Sequence, residues 1–283
     1  MIHTSKLTNP HAAQPTSLLA LSKSLWRNRE LILQMTKREV VGRYKGSAMG
    51  LMWSFLNPVF MLVVYTFVFS VVFKARWGVV GEDSKTLFAT VLFVGMIIQE
   101  LFAEVVNRAP SLILSNVNYV KKVVFPIEIL PFISMATALF HSMISLCVLL
   151  MAFVILNGLI HWTVVLIPFV LLPFIILVLG FAWMLASIGV FLRDVGQVIG
   201  MVTTIMMFLA PVFYPITAVP EKYIPFIMAN PLTFIIEQSR EVLVWGHLPN
   251  WTGLAIYTAS SIVVAWAGFA LFQKTRKGFA DVL

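Results

Sequence analysis

Glu100, Glu104 and Arg108 are spaced four residues apart and so share one face of a helix. Two carboxylates and a guanidinium in that register form an ion pair with a spare acid or, within an apolar helix, a proton site. Arg108 stands one turn after Glu104, the spacing of a helical pair. The five histidines, His3, His11, His141, His161 and His247, are scattered, and no H-x-x-x-H pair or His–carboxylate cluster offers a metal its ligands. His141 falls in an apolar stretch, where an ionisable ring either hydrogen-bonds within the packing or lines a pathway. The single cysteine, Cys147, excludes an internal disulfide and multi-cysteine metal sites. No G-x-x-x-x-G-K-[ST] loop occurs, so ATP is not bound by that route. Nor can a nucleophile and base be assembled, so catalytic residues, metal and resident cofactor are all expected to be absent.

The elements that position these groups follow from composition. Of 283 residues, 60% are hydrophobic and 11% charged, with a mean hydropathy of +0.93. A soluble domain carries about 25% charged residues. A bilayer's apolar core takes about 20 helical residues to cross, and six windows qualify: about 51–73, 87–106, 134–156, 163–190, 197–214 and 252–272. The period-2 alternation of barrel strands is missing. The fold class expected is therefore an all-α integral membrane protein with six transmembrane helices. An even number of spans puts both termini on one side. With the termini cytoplasmic, the inner segments hold 15 Lys and Arg and the outer ones (Lys74, Arg76, Lys85, Lys222, Arg240) hold 5, which supports that orientation. The formal net charge of +8 is thereby explained by topology and does not call for nucleic acid. No basic region followed by an apolar core and a cleavage site opens the chain, so no secretory signal is expected to be removed.

Three segments outside the spans carry pattern. Residues 17–45 mix seven basic side chains with Leu, Ile, Val, Trp26 and Tyr44, the composition of an amphipathic interfacial helix or helix pair. The inner loop 107–133 surrounds Asn118-Tyr-Val-Lys-Lys-Val-Val-Phe125 with Pro110, Pro126 and Pro131, which predicts a short helix along the inner interface, open to a cytoplasmic partner. In the outer segment 215–251, Asn230-Pro231 offers an N-cap and a first-turn proline and Gly246 a stop. Leu232, Ile235, Ile236, Val242 and Leu243 fall on one face, opposite Glu237, Gln238, Arg240 and Glu241. Pro215, Pro220 and Pro225 break the chain before it. The pattern predicts two short re-entrant helices in the outer leaflet between spans five and six. Residues 1–16 form a tail with no function that the sequence assigns; 46–283 form the transmembrane domain.

Span one places Trp53, Asn57, Phe60, Val64 and Phe67 on one helical face. Such a stripe either packs or stacks on the apolar faces of sugar rings.

Particular strings narrow the reading. Arg38-Glu-Val-Val-Gly-Arg-Tyr-Lys-Gly-Ser47 running into Gly50-Leu-Met-Trp-Ser-Phe-Leu-Asn-Pro58, then Asn118-Tyr-Val-Lys-Lys-Val-Val-Phe-Pro126, Phe191-Leu-Arg-Asp-Val-Gly-Gln197, Pro211-Val-Phe-Tyr-Pro215 and Asn230-Pro231-Leu stand in this order over residues 29–272. They resemble the ABC-2 type permeases of polysaccharide export, above all those of O-antigen transporters. The resemblance implies a homodimer of six-span subunits in the bacterial inner membrane, joined to two copies of a separate ABC ATPase subunit that holds ATP and Mg. The cargo implied is a glycan on undecaprenyl diphosphate, moved from cytoplasm to periplasm. It implies that the helix around 111–125 is a gate and coupling element, with Asn118 and Tyr119 at the ATPase, and that Arg193 and Asp194 lie in a second contact loop. It also implies that spans one and five line the channel, which makes Trp53, Asn57, Phe60, Phe67, Phe208, Phe213 and Tyr214 the candidate lining. Arg38, Arg43, Lys45, Lys121 and Lys122 are candidates for the lipid-diphosphate head, and Glu100, Glu104 and Arg108 for a charged entrance rim. Other readings stay open: an ABC-2 permease for capsular polysaccharide, teichoic acid or a drug, or a proton-coupled secondary transporter using Glu100 and Glu104.

Overall fold

The computed structural model describes residues 16–72, 85–121, 125–158 and 160–283. The tail up to residue 15, the expected end of span one at Phe73 and Lys122 lie outside the described residues, as does the side chain of Lys121. Among the described residues every regular element is helical.

The basic N-terminal segment folds as two helices, α1 (Leu18–Arg27) and α2 (Arg29–Tyr44). The Ser17 hydroxyl oxygen caps α1 by accepting from the Leu19 N–H at 3.2 Å. Asn28 separates the helices, and its side-chain amide donates to the Ser24 carbonyl at 2.8 Å. Gly46 and Gly50, at φ of 87° and 53°, adopt the left-handed backbone that turns the chain into span one. That span is a short 3-10 turn at Gly50–Met52, α3 (Trp53–Tyr65) and a π-helical extension, Thr66–Val72.

α4 (Lys85–Arg108) is the central helix. Within its membrane-crossing window 83% of residues are buried inside the subunit, against 6% for the window beginning at Gly50. α4 is thus walled in by its neighbours, whereas α3 touches the bundle along one edge. The inner loop contains α5 (Val117–Lys121), followed by α6 (Leu130–Asn157), closed by Gly158 at φ 76°. α7 (Ile167–Phe191) and the last long helix, here numbered after α8 (Val195–Leu209), α9 (Ile224–Ala229) and α10 (Pro231–Arg240), is α11 (Trp251–Thr275). A final turn, α12 (Phe279–Val282), ends the chain. α7 and α11 pack backbone to backbone. A Cβ placed on Gly180 would come within 2.8 Å of Ala265 Cα, and one on Gly268 would overlap the Gly180 carbonyl. Small residues allow this approach, which maximises van der Waals contact where lipid supplies no hydrophobic driving force.

Five helices among the described residues are long and apolar enough to cross a membrane. The fifth window, expected over 197–214, differs: its helix α8 has 15 residues and stops at Leu209. The cause is Pro211, which disfavours helix at the residue before it, and Ala210 is extended at φ −80°, ψ 150°. At 1.5 Å per residue α8 is about 22 Å long. The remaining residues form a turn in which the Tyr214 hydroxyl reaches the carbonyls of Phe208 and Leu209 at 3.2 and 3.1 Å.

The two short helices expected between the last long apolar segments are present as α9 and α10. Asn230 caps α10 as its position predicts, its side chain accepting from the Leu232 N–H at 3.1 Å. The same side chain donates to the Met206 carbonyl at 2.8 Å, tying α10 to α8. Leu232, Ile235, Ile236, Val242 and Leu243 are buried as the spacing indicates. Arg240 is not on the polar face where helical spacing placed it: it is 1% exposed. Its guanidinium donates to the carbonyls of Val91 and Val212, each at 3.1 Å, and to Glu237 at 2.7 Å. Five donors in a planar fork let one buried arginine pin α10 to α4 and to the turn after α8.

Candidate functional site

Two groups of predicted residues come together. The first is charged and lies where α2 packs against α6 and reaches the last turns of α4. Glu100, Glu104 and Arg108 do share a face and, with Arg43, Ala103 and Asn107, line an open groove. The pairing of Arg108 with Glu104 that their spacing suggested is not made. Glu104 instead takes Arg43 of α2 at 2.6 Å, with His141 Nδ1 of α6 at 3.3 Å, and Arg108 bonds Glu39 of α2. The reason is geometric: α2 brings opposite charges within direct reach of both residues, and a direct charge-assisted bond displaces a pair spaced along one helix. Arg43 Nη1 also lies 2.9 Å from His141 Nδ1. The other ring nitrogen, Nε2, is buried without a partner. The Tyr44 ring stands edge-on to the imidazole at 6.1 Å, and burial pushes its phenol above the ordinary value. Glu100 has no cationic partner among the described residues.

The second group is aromatic. Asn57, Phe60 and Phe67 are exposed on α3 and its extension, with Trp53 half-buried beside them. Phe208 is exposed on α8, while Phe213 and Tyr214 lie in the turn beyond it and not on the helix. Phe213 joins the two elements: its ring lies 5.9 Å from Phe69 with the planes 20° apart, and 5.9 Å from Phe208. The turn after α8 is therefore adjacent to the π-helical extension of α3, where the contact is made by Phe69 and not by an expected lining residue.

Of the expected diphosphate ligands, Arg43 is engaged as above and Arg38 donates to the Tyr119 hydroxyl at 2.8 Å. Tyr119 stacks on Phe125 with ring centroids 4.6 Å apart. This joins the N-terminal helices to the inner loop, a link between residues 81 positions apart that no local spacing reveals. Lys45, Asn118, Arg193 and Asp194 are exposed. The turn holding Arg193 and Asp194 begins close to the inner loop, because Gly189 packs directly on Pro110, where a Cβ would overlap the proline carbonyl.

Sequence reasoning passed over Glu128. It is buried between α1, α7 and the C-terminal turn, accepting from the Ser24 hydroxyl at 3.0 Å and from Arg276 at 2.8 Å, while its carbonyl accepts from the Trp183 indole at 3.0 Å. A lone acid flanked by Ile127 and Ile129 was the available signal, since such a charge is costly unless paired.

Comparison with known proteins identifies the family. The family model described as ABC-2 type transporter matches residues 30–244, and the chain belongs to that family. It is 28% identical over 266 residues to the O-antigen export system permease protein RfbA of Myxococcus xanthus, covering 93% of this chain and 99% of that protein. The permease of the same name from Klebsiella pneumoniae is 26% identical over 257 residues, 90% of this chain and 95% of the relative. The polysialic acid transport protein KpsM of Escherichia coli is 24% identical over 245 residues, 83% and 90% of the two chains.

Proposed function

We propose that this chain is the membrane permease of an ATP-driven exporter that carries a polysaccharide, an O-antigen glycan on undecaprenyl diphosphate, from the cytoplasm to the periplasm. The observation that carries the reading is the end-to-end likeness to O-antigen export permeases, 99% of the length of one of them. The inner membrane is its location, with both termini cytoplasmic. α8 and the turn after it complete a sixth crossing, α1 and α2 lie on the inner surface, and α9 and α10 re-enter the outer leaflet.

Two copies face each other across the aromatic side, and Trp53, Asn57, Phe60, Phe67, Phe208, Phe213 and Tyr214 form a track on which sugar rings slide. Rings bind through their apolar faces with little directional preference, so the polymer advances without deep energy wells. The lipid diphosphate is drawn to basic groups at the inner surface, Arg38, Arg43, Lys45, Lys121 and Lys122. Two copies of a separate ATPase subunit bind ATP and Mg and push on the inner loop at Asn118 and Tyr119 and on the turn at Arg193 and Asp194. Through the Arg38–Tyr119 bond that push moves α2, and through Arg43 and Glu39 it reaches the groove at Glu100, Glu104 and Arg108. A capsular polymer is the second reading, favoured by the likeness to the polysialic acid transport protein.

The deciding experiment is co-expression with a separate ABC ATPase subunit, purification in detergent and hydrolysis assays with lipid-linked glycans. A stable complex stimulated by O-antigen glycan is the expected result. Stimulation by a capsular polymer alone would select the second reading. A chain that binds no ATPase yet moves solute under a proton gradient would overturn both.

A further inference from the structure

Away from the aromatic side and the charged groove, α1 and the end of α11 enclose a cavity of about 280 Å³. A single water needs about 10–15 Å³ by the same kind of measure, so this space has room for something larger. Phe269 supplies an apolar wall; Lys23, Ser24 and Arg27 of α1, with Glu128 and Gln273, supply polar ones. Three observations define what would fit. Lys23 and Arg27 have no carboxylate partner among the described residues, so two cations are unspent. Glu128 is held by Ser24 and Arg276, yet each carboxylate oxygen keeps a lone pair for a further donor. Gln273 is 6% exposed and its Oε1 has no hydrogen-bond partner. A buried amide oxygen left unpaired costs stability unless a bound molecule completes it, and a half-turn of the amide about its last torsion presents either end to the cavity.

An anion for the two cations, a hydrogen-bond donor for the two acceptors and an apolar stem are the parts of an amine-bearing phospholipid, a molecule of the bilayer that surrounds membrane helices. We propose that the cavity binds the headgroup of a phosphatidylethanolamine, its phosphate on Lys23 and Arg27 and its ammonium against Gln273 and Glu128. A lipid held there fastens α1 to α11, and so sets where the N-terminal helices sit whatever cargo the protein carries.

The test uses the purified full-length chain in detergent, titrated with phosphatidylethanolamine, phosphatidylglycerol or water-soluble glycerophosphoethanolamine and read by native mass spectrometry and thermal shift. Phosphatidylethanolamine is expected to bind and raise the unfolding temperature. Losing one charge-assisted contact corresponds to about tenfold weaker binding, which is expected for Gln273→Leu, and losing two, as in Lys23→Ala with Arg27→Ala, to about a hundredfold. The second variant changes exposed residues of α1, so the measurement survives if the first does not fold. Equal affinity of wild type and variants would overturn the site. Phosphatidylglycerol binding as tightly would reduce it to a phosphate site, and equal binding of the soluble headgroup would remove the lipid from the proposal.

Discussion

Glu104 sits between Arg43 of α2 and His141 of α6, and the energetic value of its pairing with Arg43 depends on how wet it is. Its side chain is 21% exposed and that of Arg43 is 43% exposed, so solvent screens the pair and a coupling of about 1 kcal/mol is reasonable. A double-mutant cycle of Arg43→Ala and Glu104→Ala, read by thermal unfolding in detergent, should return a coupling of that size. No coupling would mean that α2 is held elsewhere. Arg240→Ala is a harsher change, since it leaves the carbonyls of Val91 and Val212 and the Glu237 carboxylate without their donor. A loss of about 3 kcal/mol or more is expected, seen as a lower unfolding temperature and lower yield, with Arg240→Lys only partly restoring it because an ammonium lacks the planar fork. The face shared by Glu100, Glu104 and Arg108 was legible from spacing alone. Their partners were not, because Arg43 and Glu39 lie 61 and 69 residues away, and the burial of Arg240 depends on α4 and the turn at Val212, which helical periodicity cannot see.

Long apolar helices were readable because the bilayer sets their length, and the cap of α10 was readable because Asn-Pro has a local meaning. What hydropathy could not show is how close two such helices come. Gly180 and Gly268 mark the contact of α7 with α11, and any side chain at position 268 collides with backbone, which cannot swing aside as a flexible side chain would. Gly268→Val should therefore destabilise the protein by about 2 kcal/mol or more through overpacking, measured as unfolding temperature and as monodisperse yield after detergent extraction. Gly42→Ala is the matched control: a Cβ on Gly42 in α2 meets nothing within 4 Å, and exchange of helical glycine for alanine should be neutral or stabilise by up to about 1 kcal/mol. Equal behaviour of the two variants would remove the significance of the close approach. The premature end of α8 belongs to the same scale, since the apolar run through Pro211 reads as one span on hydropathy and ends as a helix at the residue before proline.

At the scale of the whole molecule, α3 presents a problem that a single subunit does not solve. A helix apolar enough to cross the membrane has 6% of its window buried, and its open side carries Phe60 and Phe67, 54% and 58% exposed, next to Asn57, an amide ill suited to hydrocarbon. In the proposed dimer, a second copy related by a two-fold axis would place the same face opposite itself, enclose Asn57 and turn the aromatic stripe into two walls. Cysteine cross-linking separates this from a lipid-facing role. In a Cys147→Ser background, which removes the exposed native thiol, Phe60→Cys and Phe67→Cys should give a dimer with a bis-maleimide spanning about 10 Å, since spacers of that reach tolerate separations a disulfide does not. Ile256→Cys and Val263→Cys, 68% and 63% exposed on α11, should remain monomeric under the same treatment. Cross-linking confined to the α11 positions would place the subunit contact there, leave the aromatic side of α3 to lipid and separate the sugar track from the dimer axis.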